Sequence, residues 1–114
     1  MKVLICGSRG INDRAVVAQA VAESGMAPTH IVSGGARGVD TLARLYAQSN
    51  GIEFTEHVAD WEGHGRRAGY LRNITMVDAV AAVIAVWDGE SRGTKHSIDY
   101  ATSQGKRVFV LRPE

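Results

Sequence analysis

Three glycine-bearing segments hold the residue types best suited to chemistry: Gly7-Ser8-Arg9-Gly10, Ser33-Gly34-Gly35-Ala36-Arg37-Gly38-Val39-Asp40 and Asp88-Gly89-Glu90-Ser91-Arg92-Gly93-Thr94. Each follows a short apolar run, at residues 3–6, 31–32 and 82–86. A strand, a glycine turn and then a helix make an anion pocket. Glycine lets the backbone approach a bound group or turn with positive φ, and the first N–H groups of the helix carry the positive end of its dipole. Each turn also carries an arginine, Arg9, Arg37 or Arg92, whose guanidinium can offer paired hydrogen bonds to phosphate oxygens. Ser8, Ser91 and Thr94 add hydroxyl partners for phosphate or ribose; no histidine is identifiably paired with them, so they are not read as nucleophiles. The expectation is one shared site for a phosphate-bearing ligand. The plainer reading stands beside it: glycines that only let helix and strand pack closely, arginines that are solvated or paired with Asp40 or Asp88, and Asp40 as a first-turn residue satisfying backbone donors.

The elements that must position these turns alternate along the chain. Apolar, β-branched runs at 3–6, 31–32, 54–58, 83–86 and 108–111 predict strands, and periodic stretches at 13–24, 39–48, 68–80 and 94–103 predict helices, with Gly25, Gly51 and Gly105 as stops. This pattern implies an α/β, Rossmann-like three-layer sandwich with a parallel sheet of about five strands, covered on both faces. If the strand order is 3-2-1-4-5, the direction of build reverses between strands 1 and 4, and the glycine turns meet at the crevice outside the carboxyl ends there. Residues 60–67 are too polar and glycine-rich for either element and are expected to form a long loop over the site. In that loop Trp61 would stack on a base or plug the core edge, with Asp60 beside it. Arg72 and Asn73 on the third helix are expected to point into the crevice, while Met76, Val77 and Val80 read as core.

Bulk properties bound the rest. At 114 residues the chain is expected to be one domain, 1–114, with 45% hydrophobic and 22% charged residues as in soluble globular proteins. A formal charge of +1 gives no global attraction to nucleic acid or to anionic membranes, so nucleic acid is not favoured as a partner. No apolar run approaches the roughly 20 residues of a membrane span, and a cytoplasmic location is expected. The lone Cys6 reads as inert core, the four dispersed histidines lack zinc spacing, and no metal is predicted. Exposed sheet edges favour a homo-oligomer.

Taken in order, Gly7-Ser8-Arg9, the 33–40 segment, Ala59-Asp60-Trp61, Ala68-Gly69, Arg72-Asn73, Met76 and Ser91-Arg92-Gly93-Thr94 resemble the YspA and YpsA-related branch of the SLOG superfamily over nearly the whole chain. The resemblance implies a Rossmann-like domain that binds nucleotides or nucleotide-derived ligands, in a superfamily that includes phosphoribohydrolases, DNA-processing proteins and nucleotide sensors. It implies ligand contacts from Gly7, Ser8, Arg9, Ser33, Gly34, Gly35, Arg37, Gly38, Asp60, Trp61, Arg72, Asn73, Asp88, Gly89, Ser91, Arg92, Gly93 and Thr94, with no other cofactor. In the hydrolase branch a Pro-Gly-Gly-x-Gly-Thr-x-x-Glu loop supplies a catalytic glutamate. Here Gly93-Thr94 matches its Gly-Thr, Trp87-Asp88-Gly89 replaces its opening, and Ser97 stands at the glutamate position. The expected role is therefore a sensor or sequestering protein for a nucleoside phosphate, an ADP-ribose-like molecule or a cyclic signalling nucleotide. The alternative is an N-glycosidase acting on a nucleoside monophosphate or an NAD-like dinucleotide through Arg72 and a displaced carboxylate.

Overall fold

The computed structural model describes residues 1–59 and 61–113, and of Trp61 and Arg66 only the backbone. Five strands, β1 (Lys2–Gly7), β2 (His30–Gly34), β3 (Glu53–His57), β4 (Ala82–Val86) and β5 (Arg107–Leu111), form one parallel sheet in the order β3-β2-β1-β4-β5. Position in the sheet explains the strand sequences. Central β4 reads Ala-Val-Ile-Ala-Val and is buried at every residue, because helices cover both its faces. The edge strands β3 and β5 carry exposed Glu53, Glu56 and Arg107, which blunt further pairing.

Helices α1 (Ala15–Ser24) and α2 (Val39–Ser49) cover one face, packing Val17, Ala20, Val39 and Ala43 on Val3, Ile5, Ile31 and Ile84. On the other face α4 (Ala68–Asp78) and α5 (Arg92–Ser103) pack Met76, Val77 and Ala101 on Leu4, Cys6, Val32, Val83 and Ala85. Successive residues of β1 and β4 thus enter opposite cores, as the two-residue period of a strand requires. Gly25 closes α1 at φ 70°, its N–H donating to Ala22 O.

Residues 61–67 depart from the expected loop. They form a four-residue helix, α3 (Trp61–His64), and a 3-10 turn, Gly65–Arg67, that leads straight into α4. Gly63 and Gly65 argued against helix on propensity, yet segments this short need few intrahelical bonds, and Gly65 takes φ 57° at the junction. Asp60 lies outside the described residues, and so does the side chain of Trp61.

Among the described residues no helix is long and apolar enough to cross a membrane.

Candidate functional site

Because β2, β1 and β4 are neighbours, their carboxyl ends bring the three glycine turns to one rim of the sheet, at the point where the order of building reverses. There the structure has two adjoining chambers. The inner one, of about 230 Å³, takes Gly7 and Arg9 from the first turn, Ala36 and Asp40 from the second, and Ser91, Gly93 and Thr94 from the third. Arg72, Asn73 and Met76 of α4, Ser97 of α5 and Cys6 complete its wall. The outer chamber, of about 310 Å³, is lined by Gly35, Arg37, Val58 and Ala59 and shares Arg9, Ala36 and Arg72 with the inner one.

The turns differ in what they offer. At the first, buried Ser8 works on the protein itself: its N–H donates to Val86 O at 3.1 Å, its Oγ accepts from Asp88 N at 3.0 Å, and its carbonyl accepts from Val39 N at 3.3 Å. The first amide of α2 is therefore spent on Ser8 and does not face a ligand. Gly38 makes that contact possible, with φ 76° and a backbone so close that a Cβ would sit 2.5 Å from the carbonyl oxygens of Ser8 and Arg9. Gly34 passes equally close to its own protein, since a Cβ there would lie 2.8 Å from Asp40 Oδ2 and 3.1 Å from Arg72 Cζ.

The third turn opens α5 onto the inner chamber. Asp88 Oδ1 accepts from the N–H groups of Glu90 and Ser91 at 2.8 and 2.9 Å, bonds that hold its carboxyl below the usual value. Ser91 is the N-cap: its Oγ accepts from Thr94 N and lies 3.0 Å from Thr94 Oγ1. The amides of Arg92 and Gly93 precede the first intrahelical bond, and a Cβ on Gly93 would meet nothing within 4 Å. Asn73 ties α4 to this turn by donating to Gly93 O at 3.2 Å. Gly89, at φ 87°, packs against Arg112, which sits over Trp87 at 5.6 Å. Arg37 and Arg92 are both exposed, but only Arg37 lines a chamber; Arg92, the first residue of α5, is outside both.

Sequence reasoning did not select Cys6, Ala36, Asp40, Met76 or Ser97 as part of this wall, nor Val58 and Ala59. Ser97 was legible only as the position matching a glutamate, and it is 1% exposed with its hydroxyl donating to Gly93 O. Burial pushes the Cys6 thiol up to about 12, so it stays protonated at neutral pH. Arg72 Nε is buried without a hydrogen-bond partner among the described residues, which leaves one guanidinium donor free for a water or a ligand atom.

Asp40 is the carboxylate of the inner wall. It accepts from Ser33 Oγ at 3.1 Å and Ala36 N at 3.2 Å, and burial raises its pKa above the ordinary 3.8 despite those bonds and the nearby Arg72 and Arg9. Ser33 Oγ also lies 2.6 Å from Ile5 O, so its single hydroxyl proton is shared between that carbonyl and Asp40 Oδ1. A carboxyl with a folded pKa above its unfolded one stabilises the fold below the unfolded value, and that stability is lost as pH rises through the folded value. Asp40→Asn, able to donate from Nδ2 to Ser33 and accept from Ala36 through Oδ1, is expected to flatten this part of the stability profile and to stay within about 1 kcal/mol of the parent near pH 7. Asp40→Ala leaves the Ala36 amide unpaired and is expected to lose about 1–3 kcal/mol. Urea denaturation across the acid range checks both; parallel profiles for parent and Asn variant would remove Asp40 as the titrating group.

The model of the YspA, cpYpsA-related SLOG family matches residues 1–64, more than half of the chain. This chain belongs to that family. The match runs from β1 through α3 and so contains the first two turns, while Arg72, Asn73, Ser91 and Thr94 lie beyond it. The Gene 61 protein of Mycobacterium phage D29 is 42% identical over 117 residues, covering 95% of this chain and 94% of that protein. Among solved structures, DNA processing protein A (DprA) from Streptococcus pneumoniae superposes with a TM-score of 0.79 at 20% identity over 99% of this chain. The chain spans 50% of that DprA chain, and the likeness is one of fold. A SLOG member thus presents its sheet rim, two chambers and a shared pair of arginines where α/β folds place ligands.

Proposed function

We propose that this chain binds a nucleotide-derived, phosphate-bearing ligand at the rim formed by β2, β1 and β4, and acts by sensing or sequestering it. The observation that carries the reading is the convergence of Arg9, Arg72, Ser91, Thr94 and the first turn of α5 on one cavity at the switch point. Two guanidinium groups, hydroxyl donors and helix amides are the groups that hold phosphate and ribose oxygens. Family membership supports the same ligand class.

Binding without cleavage is the form of the reading that the wall favours. Its carboxylate, Asp40, has both oxygens engaged by Ser33 and Ala36, and the position equivalent to the hydrolase glutamate is Ser97. Ser97 supplies no charge for such a role, and Asp40 is held to its own protein by Ser33 and Ala36.

Calorimetry against nucleoside phosphates, ADP-ribose and cyclic dinucleotides is expected to find a ligand of sub-millimolar affinity, with no free base released from AMP or NAD. Arg9→Ala is expected to weaken binding by roughly tenfold, about 1.4 kcal/mol, and Arg92→Ala by no more than about twofold. Absence of heat with the whole panel would defeat the proposal, and base release would convert it into the glycosidase alternative.

A further inference from the structure

The two chambers meet at Arg9 and Arg72, and that placement bears on where the ligand carries its charge. Resting on the nucleotide-binding reading above, we infer that the ligand is two-lobed with its anionic group in the middle: a nucleoside diphosphate whose terminal phosphate is esterified to a second polar group. Size is the first argument. The inner chamber, about 230 Å³, is smaller than the roughly 300–1,000 Å³ of cavities that bury a small ligand, and the outer, about 310 Å³, only reaches the lower end of that range. A ligand larger than a mononucleotide must use both.

Charge placement is the second. Guanidinium groups hold phosphate oxygens, and here two of them stand on the wall common to both chambers. A mononucleotide, or a nucleoside diphosphate with a bare terminal phosphate, carries its anion at one end. Seating that end on Arg9 and Arg72 fills one chamber and leaves the other to water. A pyrophosphate diester puts its oxyanions between two uncharged lobes, one for each chamber.

The walls differ in a way that suits two unlike lobes. Ser91, Thr94 and Ser97 give the inner chamber hydroxyls for a sugar, whereas Val58 and Ala59 give the outer one an apolar wall with Arg37 at its margin. A base can lie against the latter.

ADP and ADP-ribose make a decisive pair, because they share a nucleoside diphosphate and differ in the added ribose. Simple attraction to arginines favours ADP, which carries more negative charge. The two-chamber arrangement favours ADP-ribose, expected to bind at least tenfold more tightly by calorimetry. That ratio is expected to fall toward unity in Thr94→Val, which removes a hydroxyl from the inner chamber that takes the added ribose, whereas Val58→Trp or Arg37→Ala, at exposed positions beside the shared base, is expected to weaken both nucleotides together, with folding checked by circular dichroism. Equal or tighter binding of ADP, or a ratio that survives Thr94→Val in folded protein, overturns the two-lobed ligand while leaving nucleotide binding intact. If neither nucleotide binds to folded protein, the binding proposal itself fails and this inference falls with it.

Discussion

Replacing Gly7 by alanine is expected to destabilise the protein by about 3 kcal/mol or more, at the upper end of overpacking costs. A Cβ at that position would lie 2.2 Å from Val86 O and 2.7 Å from Val39 Cγ2. The first of these is backbone, held in register opposite Gly7 and already accepting from Ser8 N at 3.1 Å. No side-chain rotation can relieve that contact; β1 and β4 must separate, and the rim that carries the candidate site must separate with them. Gly10, in the same turn, has nothing within 4 Å of its would-be Cβ and keeps a negative φ. Gly10→Ala is accordingly expected to stay within about 0.5 kcal/mol of the parent. Chemical denaturation of the two variants separates a packing glycine from a merely permissive one. Equal midpoints would mean that the strands yield more easily than this geometry allows.

Arg72→Met is expected to have the largest effect on binding, weakening a phosphate-bearing ligand by about 2–3 kcal/mol, or roughly 30- to 150-fold. Arg72 is common to both chambers, and its Nε is buried without a partner among the described residues. Methionine retains most of the apolar stem and removes the cation, so the substitution tests charge more than packing. The loss is bearable for the fold because Asp40, whose carboxyl is already pushed toward the protonated form by burial, can take a proton when the neighbouring positive charge goes. Arg72→Lys restores charge without the planar fork and is expected to recover binding only partly. Calorimetry with ADP-ribose, alongside a thermal melt, reads both effects. Undiminished affinity in folded Arg72→Met would move the anion site away from α4.

Much of this architecture is written locally in the chain. The uninterrupted burial of 82–86 follows from a sequence with no polar residue to place on a wet face, and Gly25 and Gly105 end α1 and α5 with positive φ as their positions imply. Segment 61–67 was harder, since helical turns this short draw on neighbouring α4 more than on their own propensity.

The alternating pattern of strands and helices, the glycine turns and the family motifs were determined by sequence alone, because backbone freedom, apolar period and chain order are properties of neighbouring residues. Tertiary structure decided which of those turns serves the protein and which faces the cavity. Ser8 and Gly38 are consumed in joining β1, β4 and α2, whereas Ser91, Gly93 and Thr94 open onto the inner chamber. Arg72 and Arg92 look alike as arginines near the motif, yet only the first lines the rim cavity, where Asp40 of α2 and Gly34 of β2 lie beside it. The reason is physical: periodicity tells which side of a helix is buried, but the partner it meets there depends on strand order and register, which are set by contacts between residues far apart in the chain.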